Sequence, residues 1–89
     1  MTDDQLRRCL QSVGMTAFVT HLALFEGNQS NADAAADLHQ TAGWTAQACR
    51  SRISTARRLL RAGRRADALQ MIVDSRLPDI PRKAARAAM

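Results

Sequence analysis

The chain has 89 residues and a formal net charge of +5 at pH 7, and 46% of its residues are hydrophobic while 3% are aromatic. This length supports one hydrophobic core, which excludes two independent domains and makes association into a homodimer worth considering. No apolar stretch approaches the roughly 18 residues that cross a bilayer, and the first residues lack the charge and apolar run of a secretion signal. We therefore expect one cytoplasmic domain with no membrane partner.

The chain begins with two predicted short helices. Thr2 and Gln5 form a capping box for the first helix, which Gly14 ends. Thr16 is placed to cap the second helix, which Gly27 ends. The apolar residues of both helices recur three or four positions apart, as in a helical hairpin: Leu6, Leu10 and Val13, then Phe18, Leu22 and Phe25.

A third and a fourth helix are predicted on either side of Gly43. Ser30 is placed to cap the third helix, which covers about residues 31–41, and Thr45 is placed to cap the fourth, which runs to about Ala62. Trp44, beside the turn glycine, is predicted to fill the space between helices. The inward residues of the third helix are Ala35, Leu38 and Ala42.

The last part of the chain is predicted to hold a fifth helix and a tail. Gly63 ends the fourth helix, and residues 66–75 have apolar side chains on one side of a fifth. Pro78 and Pro81 lack a backbone N–H donor and are expected to interrupt any further helix. Residues 82–89 are therefore predicted to be a basic tail that adds phosphate contacts.

These segments predict an all-α fold, a compact bundle of about five short helices. The many alanines agree with this fold class, because alanine is the strongest helix former. A single helical domain covers residues 1–81, and residues 30–63 within it form a helix-turn-helix-like pair.

The positive charge is concentrated in the second half of the chain. Residues 1–45 hold two basic residues against five acids, whereas residues 46–89 hold eleven basic residues against three acids. Ten of those eleven are arginine, which donates bidentately to phosphate and to guanine. A basic field on one side of a protein is typical of one that binds a polyanion.

The fourth helix is predicted to have an apolar face and an arginine face. On a helical wheel the apolar stripe holds Cys49, Ile53, Ala56 and Leu60. Six arginines lie on another side, all within about 80° of the position of Arg50: Arg50, Arg57, Arg58, Arg61, Arg64 and Arg65. These arginines either face a polyanion or pair with carboxylates from another helix, such as Asp33 or Asp37.

The side-chain types on this helix suit two kinds of DNA contact. Arginine, glutamine and serine hydrogen-bond to base edges, and arginine also binds phosphates whatever the base sequence. The predicted DNA-binding residues are Gln47, Arg50, Ser51 and Ser54 for base edges, and Arg57, Arg58 and Arg61 for phosphates.

This helix resembles the recognition helix of region four of sigma factors and of LuxR-type regulators. The shared pattern is a capping residue, a buried residue four positions later, then basic, serine, basic and aliphatic residues: Thr45, Cys49, Arg50, Ser51, Arg52 and Ile53. The resemblance covers residues 30–61. It implies that double-stranded DNA is the partner and that the major groove is faced by Ala46, Gln47, Arg50, Ser51 and Ser54. The family normally places its turn glycine four residues after a buried alanine, whereas Ala35 lies eight residues before Gly43.

The sequence favours a small DNA-binding protein, a transcriptional regulator acting as a dimer. The alternative is a helical adaptor or inhibitor that uses its arginine face on an acidic protein partner, and RNA is a further option. No catalytic motif is present, the cysteines have no CxxC spacing, and the histidines have no metal-ligand spacing. We therefore predict no enzymatic activity, no cofactor and no metal.

Overall fold

The computed structural model describes residues 1–89 and contains seven α-helices and no strand, so the all-α prediction is confirmed. None of these helices is both long enough and apolar enough to span a membrane. The helices are α1 (Asp3–Val13), α2 (Met15–Thr20), α3 (Leu22–Glu26), α4 (Asn31–Ala42), α5 (Ala46–Arg61), α6 (Arg65–Val73) and α7 (Asp79–Ala88).

The predicted caps of α1 and α4 are confirmed. Thr2 Oγ1 accepts from the backbone N–H of Gln5 at 3.2 Å, while the Gln5 side chain accepts from the backbone N–H of Thr2 at 2.9 Å. Ser30 Oγ accepts from the backbone N–H of Asp33 at 3.1 Å. These bonds satisfy N–H groups that have no partner inside a helix, which fixes where each helix starts.

The predicted second helix is two helices, and Thr16 does not cap it. Gly14 stands at the N-cap position, and the chain leaves helical geometry at His21, with φ −109° and ψ 21°, which separates α2 from α3. Phe18 and Phe25 are both buried in the core, where their ring centroids lie 6.1 Å apart.

The expected interruption at the two prolines was wrong, because residues 79–88 form α7. Pro78 is the N-cap residue and Pro81 is the third residue of the helix. Backbone N–H groups in the first helical turn have no intrahelical acceptor, so proline removes nothing there. Ala85 is fully buried, and α7 packs on α2 and α6, so residues 82–89 belong to the bundle and are not a tail.

The core is one cluster of 19 buried residues to which all seven helices contribute. It contains no polar or charged residue, and both Cys9 and Cys49 are buried in it as free thiols. The longest helix, α5, contacts α1, α3 and α4. Because neighbours cover α5 over a wide arc, Leu59 is fully buried, whereas Leu60, which was predicted to face inward, is half-buried.

Trp44 packs against the core behind the α4–α5 turn, as the sequence predicted. Its ring lies 5.6 Å edge-on from the ring of His21, and the guanidinium of Arg52 lies 3.9 Å from its centroid on one face. The other ring neighbour of His21 is Phe25. This burial of the imidazole disfavours its charged form and lowers the pKa of His21.

We expect the bundle to lose stability as the pH falls from 7.5 to 5.5. A lowered pKa means that the unfolded chain takes up a proton on His21 before the folded chain does, so stability is full above about pH 6.5 and declines below it. Urea unfolding at several pH values measures the effect. The dependence of the free energy of unfolding on pH should be weaker in His21→Gln than in the wild type. Equal dependence in the two proteins contradicts this prediction.

Candidate nucleic-acid interface

α5 follows α4 after a turn of three residues. Gly43 ends α4 in the left-handed conformation, with φ 74°, which glycine adopts without steric cost. Thr45 Oγ1 accepts from the backbone N–H of Ala48 at 3.1 Å and caps α5, as predicted. α4 and α5 therefore pack against each other across a short glycine-containing turn.

One side of α5 is exposed along its whole length. Successive residues of an α-helix are about 100° apart, so six exposed residues of α5 fall within about 100° of its circumference. We call them the exposed arc: Gln47, Arg50, Ser51, Ser54, Arg58 and Arg61. The structure thus brings six of the seven predicted DNA-binding residues onto one surface. Because Cys49, Ile53, Ala56 and Leu59 are fully buried on the other side of α5, this surface is held in place by the core.

The three arginines of the exposed arc have no acidic partner. Arg50 makes no side-chain hydrogen bond or ion pair within the protein, Arg58 Nη2 lies 3.2 Å from Cys9 Sγ, and Arg61 Nε donates to the Arg57 carbonyl at 3.3 Å. No carboxylate lies within 4.0 Å of any of these guanidinium groups, and the five ion pairs of the protein all belong to other arginines. The arc therefore presents three positive charges that the protein does not neutralise.

Arg57, the seventh predicted residue, is placed differently. It is half-buried beside the arc, and its guanidinium donates to five acceptors at 2.6–3.4 Å. The acceptors are the carbonyl oxygens of Leu24, Phe25, Gly27 and Gln29 and the Oδ1 of Asn31. Carbonyl groups at the end of a helix lack intrahelical donors and attract cations. Arg57 therefore closes the C-terminal end of α3, and no N–H is left for a phosphate.

Arg64 and Arg65 do not share the arginine face that the helical wheel predicted. α5 ends at Arg61, and Gly63, with φ 75°, turns the chain into α6. Arg64 pairs with Asp3 and Asp67, and Arg65 pairs with Glu26. The pairing raises the pKa of Arg64 through hydrogen bonds to both carboxylates. Partner carboxylates thus exist for these two arginines, but they are not Asp33 or Asp37, the two that the sequence suggested.

Side chains from α1 and α4 border the exposed arc. Arg8 of α1 lines a cleft of about 370 Å³ with Arg58 and Cys9, and it has no ion pair. His39 of α4 lines a groove of about 270 Å³ with Arg50, and its Nδ1 bonds to the Trp44 carbonyl. Arg8 was not among the predicted residues. The sequence carried no signal for it, because its position beside Arg58 depends on how α1 packs on α5.

Comparison with protein-family models, curated proteins and solved structures found no match to this chain. The function must therefore be argued from the geometry of the surface itself. No group of three or more histidine, cysteine, aspartate and glutamate side chains is arranged to hold a metal ion. The exposed arc offers hydrogen-bond donors and positive charge that no carboxylate of the protein neutralises.

Proposed function

We propose that this chain is a small DNA-binding protein that places the exposed arc of α5 in the major groove of double-stranded DNA. The observation that carries the proposal is the run of three unpaired arginines with a glutamine and two serines on one exposed helix face. Like charges three or four residues apart on a helix, such as those of Arg58 and Arg61, repel by a few tenths of a kcal/mol, which an anionic partner would relieve.

The dimensions of α5 suit the major groove. Its 16 residues make a rod about 24 Å long and about 10–12 Å wide, close to the groove width of about 12 Å. The first turns present Gln47, Arg50 and Ser51, whose side chains can donate to or accept from base edges. Arg58 and Arg61 lie two to three turns farther along the helix, where contact with phosphates supplies affinity and not sequence information.

A role in transcription regulation and action as a dimer are part of the same proposal. A two-fold dimer would present two copies of α5 to half-sites about 34 Å apart, one helical turn of DNA. The contrasting function is an adaptor or inhibitor that applies the arc to an acidic protein. That function predicts binding to an acidic protein that nuclease treatment leaves unchanged and that Arg50→Ala disrupts.

We expect the purified, nuclease-treated protein to bind duplex DNA with a steep dependence on salt. Two or three phosphate contacts by the arc arginines, of which Arg58 and Arg61 supply two, give a slope of about −2 to −3 in a plot of log affinity against log salt concentration. Fluorescence anisotropy with random duplexes and with genomic fragments, at about 50 and 200 mM salt, measures this slope.

Tight binding to one fragment over random duplexes supports a sequence-reading protein, and equal binding to all fragments supports phosphate contact alone. Absence of binding at both salt concentrations rejects the DNA proposal and favours the acidic protein partner.

A further inference from the structure

A second basic surface, which shares Arg61 with the exposed arc, lies between the last turn of α5 and the α3–α4 connection. It is a cleft of about 570 Å³, which falls within the range of about 300–1,000 Å³ that is usual for ligand pockets. We call it the arginine cleft, and its polar lining consists of Glu26, Asn31, Arg57, Arg61 and Arg65. Phe25 and Leu60 supply its two apolar lining residues.

The arginine cleft has an excess of two positive charges. Three guanidinium groups face a single carboxylate, that of Glu26, and this carboxylate already accepts a hydrogen bond from Arg65 Nε. Arg57 is fixed by its five acceptors and therefore contributes charge at a constant position. An excess of two positive charges matches the charge of a phosphate monoester near neutral pH.

The free hydrogen-bond donors of the cleft belong to Arg61, Arg65 and Asn31. Arg61 uses only Nε within the protein, so both of its terminal nitrogens are free. Arg65 uses Nε and Nη1, the latter on the Ala88 carbonyl at 2.9 Å, and keeps Nη2 free. Asn31 accepts from Arg57 at 2.6 Å through Oδ1, which leaves its amide N–H groups to donate. These three donors come from different elements and converge on one cavity.

We propose that the arginine cleft binds a phosphate group, with Arg61 and Arg65 donating to its oxygens and Arg57 providing fixed charge beneath it. Guanidinium groups bind phosphate oxygens through short, charge-assisted hydrogen bonds. The cavity is larger than a phosphate ion, so a sugar or a similar group attached to the phosphate fits beside Phe25 and Leu60. The phosphate comes either from a small molecule such as a nucleoside monophosphate or from the backbone of bound DNA, and this inference holds for either source.

The test is a titration of the full chain with inorganic phosphate and with adenosine monophosphate, followed by NMR of the arginine Nε–H and backbone amide signals. We expect saturable shifts at Arg61, Arg65 and Asn31. Arg61→Gln should weaken binding of both probes at least tenfold, equivalent to about 1.4 kcal/mol. Arg58→Gln is the matched control, since it removes one arginine of the same arc outside the cleft, and it should change affinity less than about twofold, or about 0.4 kcal/mol.

Duplex DNA added to the phosphate-bound protein identifies the source of the phosphate. Displacement of phosphate from the cleft by DNA assigns the cleft to a backbone phosphate, and retention of adenosine monophosphate in the DNA complex assigns it to a small molecule. No saturable shift, or equal affinity in Arg61→Gln and wild type, overturns the proposal. In that case the DNA proposal is still supported if Arg50→Ala and Arg58→Ala weaken DNA binding. Failure of the phosphate proposal can therefore be distinguished from failure of the DNA proposal.

Discussion

Replacing Arg57 by alanine is expected to lower the free energy of unfolding by about 3 kcal/mol, more than any other single arginine substitution in this chain. The domain as a whole is expected to have about 5–13 kcal/mol of stability at the usual value per residue, so this loss is a large fraction of the total. Urea unfolding followed by circular dichroism at pH 7.5 measures it.

The large effect follows from what the substitution leaves behind. Of the five acceptors of Arg57, the carbonyl groups of Phe25 and Gly27 have no other protein donor, whereas the Leu24 carbonyl also accepts from the backbone N–H of Gly27. A buried acceptor without a donor costs about 1–3 kcal/mol, and such costs are only partly additive. Arg57→Lys should not restore stability, because an ammonium group cannot reach acceptors on several sides as the planar guanidinium does.

Arg61→Ala is the matched control for Arg57→Ala. It removes the same side chain one turn later on the same helix, where the side chain makes one intrahelical hydrogen bond and is exposed. We expect a loss below about 0.5 kcal/mol for this variant. Equal destabilisation by both substitutions would show that the Arg57 contacts do not hold the α3–α4 connection.

Replacing the three arginines of the exposed arc together is expected to weaken DNA binding at least about a thousandfold. Each arginine contact to a base or a phosphate contributes about 1–3 kcal/mol, so the variant Arg50→Ala, Arg58→Ala, Arg61→Ala loses most of the binding free energy. The slope of log affinity against log salt concentration should approach zero, because each lost phosphate contact removes about one unit. Circular dichroism should show a folded protein, since these side chains are exposed.

A second triple variant tests whether DNA affinity depends on where the positive charges lie or only on the net charge of the protein. Arg76, Lys83 and Arg86 are exposed, have no acidic partner and lie near or on α7, which packs on α2 and α6. Their joint replacement by alanine lowers the net charge by the same three units, and we expect it to change DNA affinity less than about tenfold. If both triple variants weaken binding equally, affinity follows net charge and the exposed arc is not the interface.

Local sequence signals predicted α1, α4 and α5 well because their determinants lie within three residues of each helix end. Thr2, Ser30 and Thr45 each accept from the backbone N–H three positions later, so the cap and its partner can be read together. The same locality explains why six of the seven residues predicted for the interface share one exposed face: a helical wheel is valid as long as the helix is continuous.

The partners of the other arginines could not be predicted from sequence. Arg57 is 26–33 residues from its acceptors, Arg65 is 39 residues from Glu26, and Arg64 is 61 residues from Asp3. These long-range pairs form because of how the helices pack against one another, and a local sequence pattern does not determine that packing. The prediction at the prolines was wrong for a different reason. Whether a proline interrupts a helix depends on its distance from the helix start, and Pro81 is the third residue of α7.

Two adjacent residues, Arg64 and Arg65, bond to the two ends of the chain. Arg64 bonds to the Met1 carbonyl and the Asp3 carboxylate, and Arg65 bonds to the Ala88 carbonyl. Helix ends at the two extremes of a chain usually fray independently, because nothing connects their local unfolding. Here the first turn of α1 and the last turn of α7 both bond to the same short segment at the start of α6. We therefore expect local unfolding of this segment to speed amide hydrogen exchange at both ends together.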